Sequence, residues 1–180
     1  MTRLASVGLN ALGAPPTFLS WLSGDLGDLL PPPPTGPEEL SEGSVVTGQQ
    51  PGLFGGSMVH LLKAAGASRL AEDTGRGAVF WNHSEDHDFA EACRIRLVSP
   101  GRSDVHTLAL EVPAGRPYLS NVVLADEAAA LFDKALGILD GLPCLVEAAA
   151  VCRPASGSRM GEAFTAFLDG IFGDRLQTVE

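Results

Sequence analysis

The sequence predicts an α/β protein, a parallel sheet with crossover helices and an inserted β-hairpin. Three observations predict it. Ser44–Thr47 and Gly77–Trp81 are short apolar runs next to glycines, as buried strands are. Between them Ser57–Asp73 spaces Met58, Leu61, Leu62, Ala65 and Leu70 as a helix does, and Gly75 stops it. Strand, helix and strand in that order make a βαβ unit with parallel strands. Gly77–Trp81 is continuously apolar, which predicts a strand covered on both faces.

The later elements follow from changes of pattern. Asp86–Ala92 reads as a short helix capped by Ser84. Arg94–Val98 and Thr107–Val112 alternate apolar and polar residues around Ser99-Pro100-Gly101-Arg102, the mark of a half-exposed hairpin. Asp126–Asp140 and Ser158–Gly173 are amphipathic helices, Leu145–Cys152 a shorter one ended by Pro154, and Leu176–Val179 opens a third strand. Residues 1–43 read as an N-terminal appendage: Phe18–Leu30 suits one short helix, and Pro31–Pro34 a linker or strap. Residues 44–180 form the folded domain, an incomplete doubly wound one, since the crevice of that fold needs strands from a second half. The apolar stripes of 126–140 and 158–173 then predict self-association, or a partner chain that supplies the missing half.

Composition narrows the function. Of 180 residues, 45% are hydrophobic and 19% charged, an ordinary globular balance. Twenty-two acidic residues against 12 basic ones give a net charge of −10, which repels phosphate backbones and anionic membranes. No nucleic-acid or membrane partner is expected. Cys93, Cys144 and Cys152 are odd in number and lack C-x-x-C spacing, so they read as small core residues of a cytoplasmic protein.

Ligands of open parallel sheets bind outside the carboxyl ends of the strands, and two unusual loops lie there. The first, Thr47–Gly56, holds Gly48, Gly52, Gly55 and Gly56 with the amides of Gln49 and Gln50, and opens a helix. Glycines let backbone N–H groups approach an anion, although the spacing matches no standard nucleotide motif, and a plain tight turn explains them equally. Lys63, two turns into the helix, is placed to reach back to a phosphate or carboxylate, or is an ordinary solvated lysine. The second loop, His83-Ser84-Glu85-Asp86-His87-Asp88, carries five ionisable groups after an apolar strand. Helix capping accounts for its acids but not for two histidines four apart. Three chemical readings stay open: a divalent metal on His83 and His87, acid–base catalysis by His87 beside Asp86 or Asp88, and carboxylates gripping an ammonium or sugar hydroxyls. Ligand spacing argues against the metal, so no metal site is predicted.

Taken together, V-V-T-G-Q-Q-P-G-L-F-G-G at Val45–Gly56 and V-F-W-x-x-S-E-D-H-D-F at Val79–Phe89 resemble the paired signatures of the bacillithiol biosynthesis cysteine-adding enzymes, a family of cysteine ligases. Lys63 falls where that family has a lysine, and Gly161–Gly173 resembles its later helix. The resemblance implies a Rossmann-like core and the joining of cysteine to the amine of glucosaminyl-malate, an amino-sugar malate conjugate. It implies ATP for activation, with Mg²⁺ only as the nucleotide's companion. Asp86, His87 and Asp88 would be catalytic. Thr47, Gly48, Gln49, Gln50, Gly52, Gly55, Gly56, Lys63, Ser84 and Glu85 would bind substrate or anion. Members of the family are much longer, so a truncated or split enzyme is expected. The alternatives are a non-catalytic small-molecule binding module and a metal-dependent hydrolase using His83 and His87.

Overall fold

The computed structural model describes residues 43–111, 115 and 117–180. The appendage, with its expected helix and polyproline strap, lies outside the described residues.

Strands β1 (Ser44–Gln49) and β2 (Gly77–Asn82) are parallel and joined by helix α1 (Met58–Thr74), so the βαβ unit is present. The third strand is β5 (Gln177–Val179), parallel to β2 on its other side, giving the order β1-β2-β5. Between β2 and β5 come α2 (Phe89–Ala92), the antiparallel hairpin β3 (Arg94–Val98) and β4 (Val105–Ala109), and helices α3 (Asp126–Ile138), α4 (Leu145–Cys152) and α5 (Met160–Phe172). The architecture is α/β with a Rossmann-like parallel sheet.

One core lies between the sheet and two helices. Ala64, Ala65 and Ala71 of α1 and Phe164, Phe167, Leu168, Ile171 and Phe172 of α5 close over Ala78 and Phe80. The buried face of α1 is the expected one only in part: Ala65 is buried and Leu61 and Leu62 pack against the core. Met58 is exposed, whereas His60, Ala64, Ala67, Ser68 and Ala71 face inward. Small residues let the helix lie close to the sheet, and the bulkier Val59 and Leu62 are left facing an outer groove. A second core joins Leu53, Phe89, Cys93, Leu119, Val122, Leu124 and Met160 beneath the carboxyl edge of the sheet.

Other expectations need correction. Among the described residues strand β2 is covered on one face only: its residues alternate, with Ala78, Phe80 and Asn82 buried and Trp81 exposed. Both α1 and α5 pack on the same side of it. The second hairpin strand begins at Val105, not Thr107, because Val98 pairs with Val105 and Arg94 with Ala109. Helix α2 starts at Phe89, not Asp86. An oxygen of Asp86 accepts the amides of His87 (2.6 Å) and Asp88 (3.1 Å), a turn that holds these residues out of the helix. Asp88 then caps it, accepting Glu91 N–H at 3.2 Å, while Ser84 is buried. Of the cysteines only Cys93 is fully buried; Cys144 and Cys152 are half-buried.

Candidate functional site

The two loops meet at the carboxyl edge of the sheet. Gln49 ends β1 and its carbonyl oxygen accepts the amide of His83, just beyond β2, at 3.0 Å. The glycine loop then turns through a single helical turn at Leu53–Gly55, with Phe54 in a left-handed conformation (φ 53°), before Ser57 starts α1.

Packing dictates the glycines. A Cβ on Gly56 would lie 2.7 Å from the ring of His60, and one on Gly52 only 2.4 Å from Gly56 Cα. On Gly55 it would strike the ring of Phe167, and on Gly48 the Trp81 carbonyl oxygen at 2.6 Å. The space beside each glycine is filled by the chain itself. These contacts account for the glycines as a tight turn, and no step through ATP is derived from them.

His60 organises this turn. Ser57 N–H donates to its Nδ1 at 3.0 Å, so Nδ1 is the acceptor nitrogen and Nε2 carries the hydrogen, which goes to the Gln50 carbonyl oxygen at 3.0 Å. The ring is 3% exposed and stands edge-on to Phe164, with centroids 5.3 Å apart. Burial lowers its pKa below the usual 6.5 and outweighs the opposing hydrogen bonds to Gln50 and Ser57. Sequence reasoning gave His60 no role. The signal was present as a Ser57-x-x-His60 capping pair, with histidine where glutamate or glutamine is usual.

Lys63 does reach back. Its ammonium donates to the Gly48 carbonyl oxygen at 3.0 Å and to Gln49 Oε1 at 2.6 Å, on the exposed outer side of β1. Gln49 Nε2 in turn donates to Gln50 Oε1 at 2.6 Å.

A cavity of about 790 Å³ opens between the glycine loop and α2, β3, α3 and α4. Gln50, Gly52, Gly56 and Asp88, all singled out from sequence, line it. Thr47 and Lys63 line a separate groove, and Gly48, Gln49, Gly55, Ser84, Glu85, Asp86 and His87 line neither. The cavity walls that sequence reasoning missed are His60, Glu91, Arg94 and Arg96, with an apolar side from Phe54, Ile95, Phe132, Leu136 and Cys152. Among the described residues neither Arg94 nor Arg96 forms an ion pair. Arg94 and Arg96 alternate with inward residues along a strand whose position was legible, but the helices facing it were not. Burial pushes the thiol of Cys152 up to about 11, so it is not a ready nucleophile.

In the acidic loop, Asp86 and Asp88 each give an oxygen to the main chain, and His87 is exposed. The ring of His83 stacks on Trp81 with centroids 4.3 Å apart. Among the described residues no three His, Cys, Asp or Glu side chains converge as a metal site would require. No helix among them is long and apolar enough to cross a membrane.

Comparison with known proteins agrees with this architecture. Residues 38–174 match the family model described as "Bacillithiol biosynthesis BshC, N-terminal Rossmann-like domain". A protein of Thermus thermophilus named "Putative cysteine ligase BshC" is 44% identical over 77 residues, 42% of this chain and 15% of that protein. Proteins of the same name from Solibacter usitatus and Salinibacter ruber are 35% and 32% identical over 136 and 143 residues, covering 69% and 73% of this chain. Those matches span 24% and 25% of the two relatives, so the chain matches about a quarter of their length or less. With the glycine loop, the acidic loop and strands β1 and β2 inside the matched span, the chain belongs to the bacillithiol biosynthesis BshC family, through its N-terminal Rossmann-like domain.

Proposed function

We propose that this domain binds the reactants of a cysteine ligase, which joins cysteine to the amine of glucosaminyl-malate, and that its site is the cavity beneath the glycine loop. One observation carries the reading: both signs of charge flank a largely apolar cavity. Asp88 and Glu91 suit an ammonium, while Arg94 and Arg96, without ion pairs among the described residues, suit carboxylates. Cysteine and an amino-sugar malate conjugate present both groups. Gln50, its carbonyl held by His60, lies on the opposite wall. His87, between Asp86 and Asp88 in sequence and outside the cavity lining, is the proton-transfer candidate for a reactant that extends from the cavity past Asp88. Strand β1 pairs on one side only among the described residues, which supports self-association or a partner chain that adds strands there.

The test is incubation of the full chain with cysteine, glucosaminyl-malate and ATP–Mg²⁺, with product followed as a new thiol by mass spectrometry. In parallel, calorimetry measures binding of each reactant alone. Binding abolished by Arg94→Ala/Arg96→Ala supports the site; absence of any binding rejects it.

A second reading, binding without chemistry, has one observation in its favour. Asp86 and Asp88 both hold the local main chain in place, which explains them without catalysis. Reactant binding without product would select it.

A further inference from the structure

The cavity beneath the glycine loop has one wall of main chain. Four consecutive residues of β3, Arg94, Ile95, Arg96 and Leu97, line it, and no residue of β4 does. Successive residues of a strand point to opposite faces, so the cavity meets β3 along the edge turned away from β4. The ladder fixes what that edge presents. Leu110 N–H donates to the Cys93 carbonyl oxygen at 3.0 Å, and Ser99 N–H to that of Asp104 at 3.4 Å. Bonded and non-bonded positions alternate along an antiparallel pair. With Arg94 opposite Ala109 and Arg96 opposite Thr107, Ile95 and Leu97 therefore bond to β4, while Arg94 and Arg96 turn N–H and C=O outward. Among the described residues none of these four outward groups has a main-chain partner.

We propose that this edge takes up an extended segment of another protein as an added strand, and that the segment carries two carboxylates two residues apart with an apolar residue between them. Outward N–H and C=O groups in register are a template for strand addition. In the antiparallel sense, the more stable pairing per residue, the segment exchanges two bonds with Arg94 and two with Arg96, and the residues opposite them share their face. Both arginines are exposed and form no ion pair among the described residues, so carboxylates suit those two positions. The residue between them falls on the face of Ile95, which packs against the second core, so an apolar side chain suits it. Asp88 and Glu91 line the cavity ahead of Arg94, beyond the segment's second carboxylate, and call for a lysine there. The inference does not rest on the ligase reading, although a bound strand and the reactants would exclude each other from the cavity.

The test is a titration of the full, isotope-labelled chain with the acetylated and amidated peptide Thr-Glu-Val-Glu-Gly-Lys, followed by NMR and hydrogen exchange with no reactant present. Saturable binding is expected, with exchange slowed at the Arg94 and Arg96 amides and unchanged at Ile95 and Leu97, which β4 already holds. Contact through charge alone would not single out every second amide. Arg96→Pro deletes one outward N–H and leaves the bonds to β4, a place where a strand accepts proline. Binding should be roughly tenfold or more weaker than to Arg96→Ala, which loses the charge but keeps the N–H. Where the proline variant fails to fold, the peptide is altered instead. N-methylation of its first glutamate removes the bond to the Arg96 carbonyl, whereas N-methylation of its valine, whose N–H points away, leaves binding intact. The proposal falls if the peptide fails to bind at about 1 mM, if the two methylations act alike, or if lysines in place of both glutamates bind equally well. It falls equally if the Arg94 and Arg96 amides become protected on concentrating the protein without peptide, the sign of a second copy.

Discussion

Nε2 of His60 donates to the carbonyl oxygen of Gln50 at 3.0 Å, ten residues back in the chain, and so closes the glycine loop on the helix that follows it. The same ring accepts Ser57 N–H at Nδ1 and fills the space that a side chain on Gly56 would need. One buried imidazole thus fixes the start of α1, the wall of the cavity and the residue type at Gly56.

Gly56→Ala should therefore be damaging for two separable reasons. The residue sits at φ 73°, ψ −150°, a region populated essentially by glycine alone where a side chain costs about 1–3 kcal/mol, and the new Cβ would lie 2.7 Å from the His60 ring. Urea denaturation should show a loss greater than the backbone cost alone. A loss no larger than that of Gly75→Ala, a left-handed helical position in open space, would show that neither the backbone conformation of Gly56 nor the His60 ring resists the side chain.

Acid should loosen the same loop. The pKa of His60 lies below 6.5 in the folded chain because burial penalises its charged form, so the unfolded chain takes up the proton first. Stability is then full above about pH 6.5, falls as pH drops below it, and levels off beneath the folded-state value. His60→Asn preserves an acceptor for Ser57 N–H but cannot titrate. The gap between parent and variant, measured by urea denaturation from pH 7.5 to 5, should narrow on acidification. A constant gap would mean that the imidazole stays equally protonated in both states.

Much of this was legible because periodicity and turn chemistry are local. Ser44–Thr47, Ser57–Asp73 and Gly77–Trp81 each announce themselves within a few residues, and parallel pairing follows from their order. His60 was hidden because its role depends on Gln50 and Phe164, groups far from it in sequence. The acidic loop misled for the opposite reason. Ser84 is a good capping residue by type, but its burial against Gly161 leaves Asp88 to cap α2. The alternation of β2 was concealed by Val79 and Trp81, apolar residues that read as buried and, among the described residues, are not fully so. Arg94 and Arg96 line a cavity only because α3 and α4 face β3 across it, a placement no local pattern announces.

Lys63→Met should detach the end of β1 from α1. The ammonium bonds the Gly48 carbonyl and the Gln49 amide oxygen, both near solvent, so the expected loss is small, about 0.5–1.5 kcal/mol. Hydrogen exchange should rise at the Gly48–Gln50 amides and not in α5. Unchanged exchange there would show that the lysine does not clamp the loop, and its contribution would have to be sought at the ligand.

Asp86 offers the sharpest separation of architecture from chemistry. Its Oδ1 accepts two main-chain amides, from His87 and Asp88, and an asparagine keeps an oxygen in that place while removing the negative charge. Asp86→Asn should then retain the parent thermal transition, whereas Asp86→Ala opens the turn and costs about 1–2 kcal/mol. If the carboxylate also tunes His87 for proton transfer, Asp86→Asn should lower product formation roughly 100-fold or more at unchanged stability. A fully active Asp86→Asn would confine this carboxylate to shaping the loop. The two variants together therefore decide between a turn that positions His87 and a charge that acts on it, because only the first role survives loss of the charge.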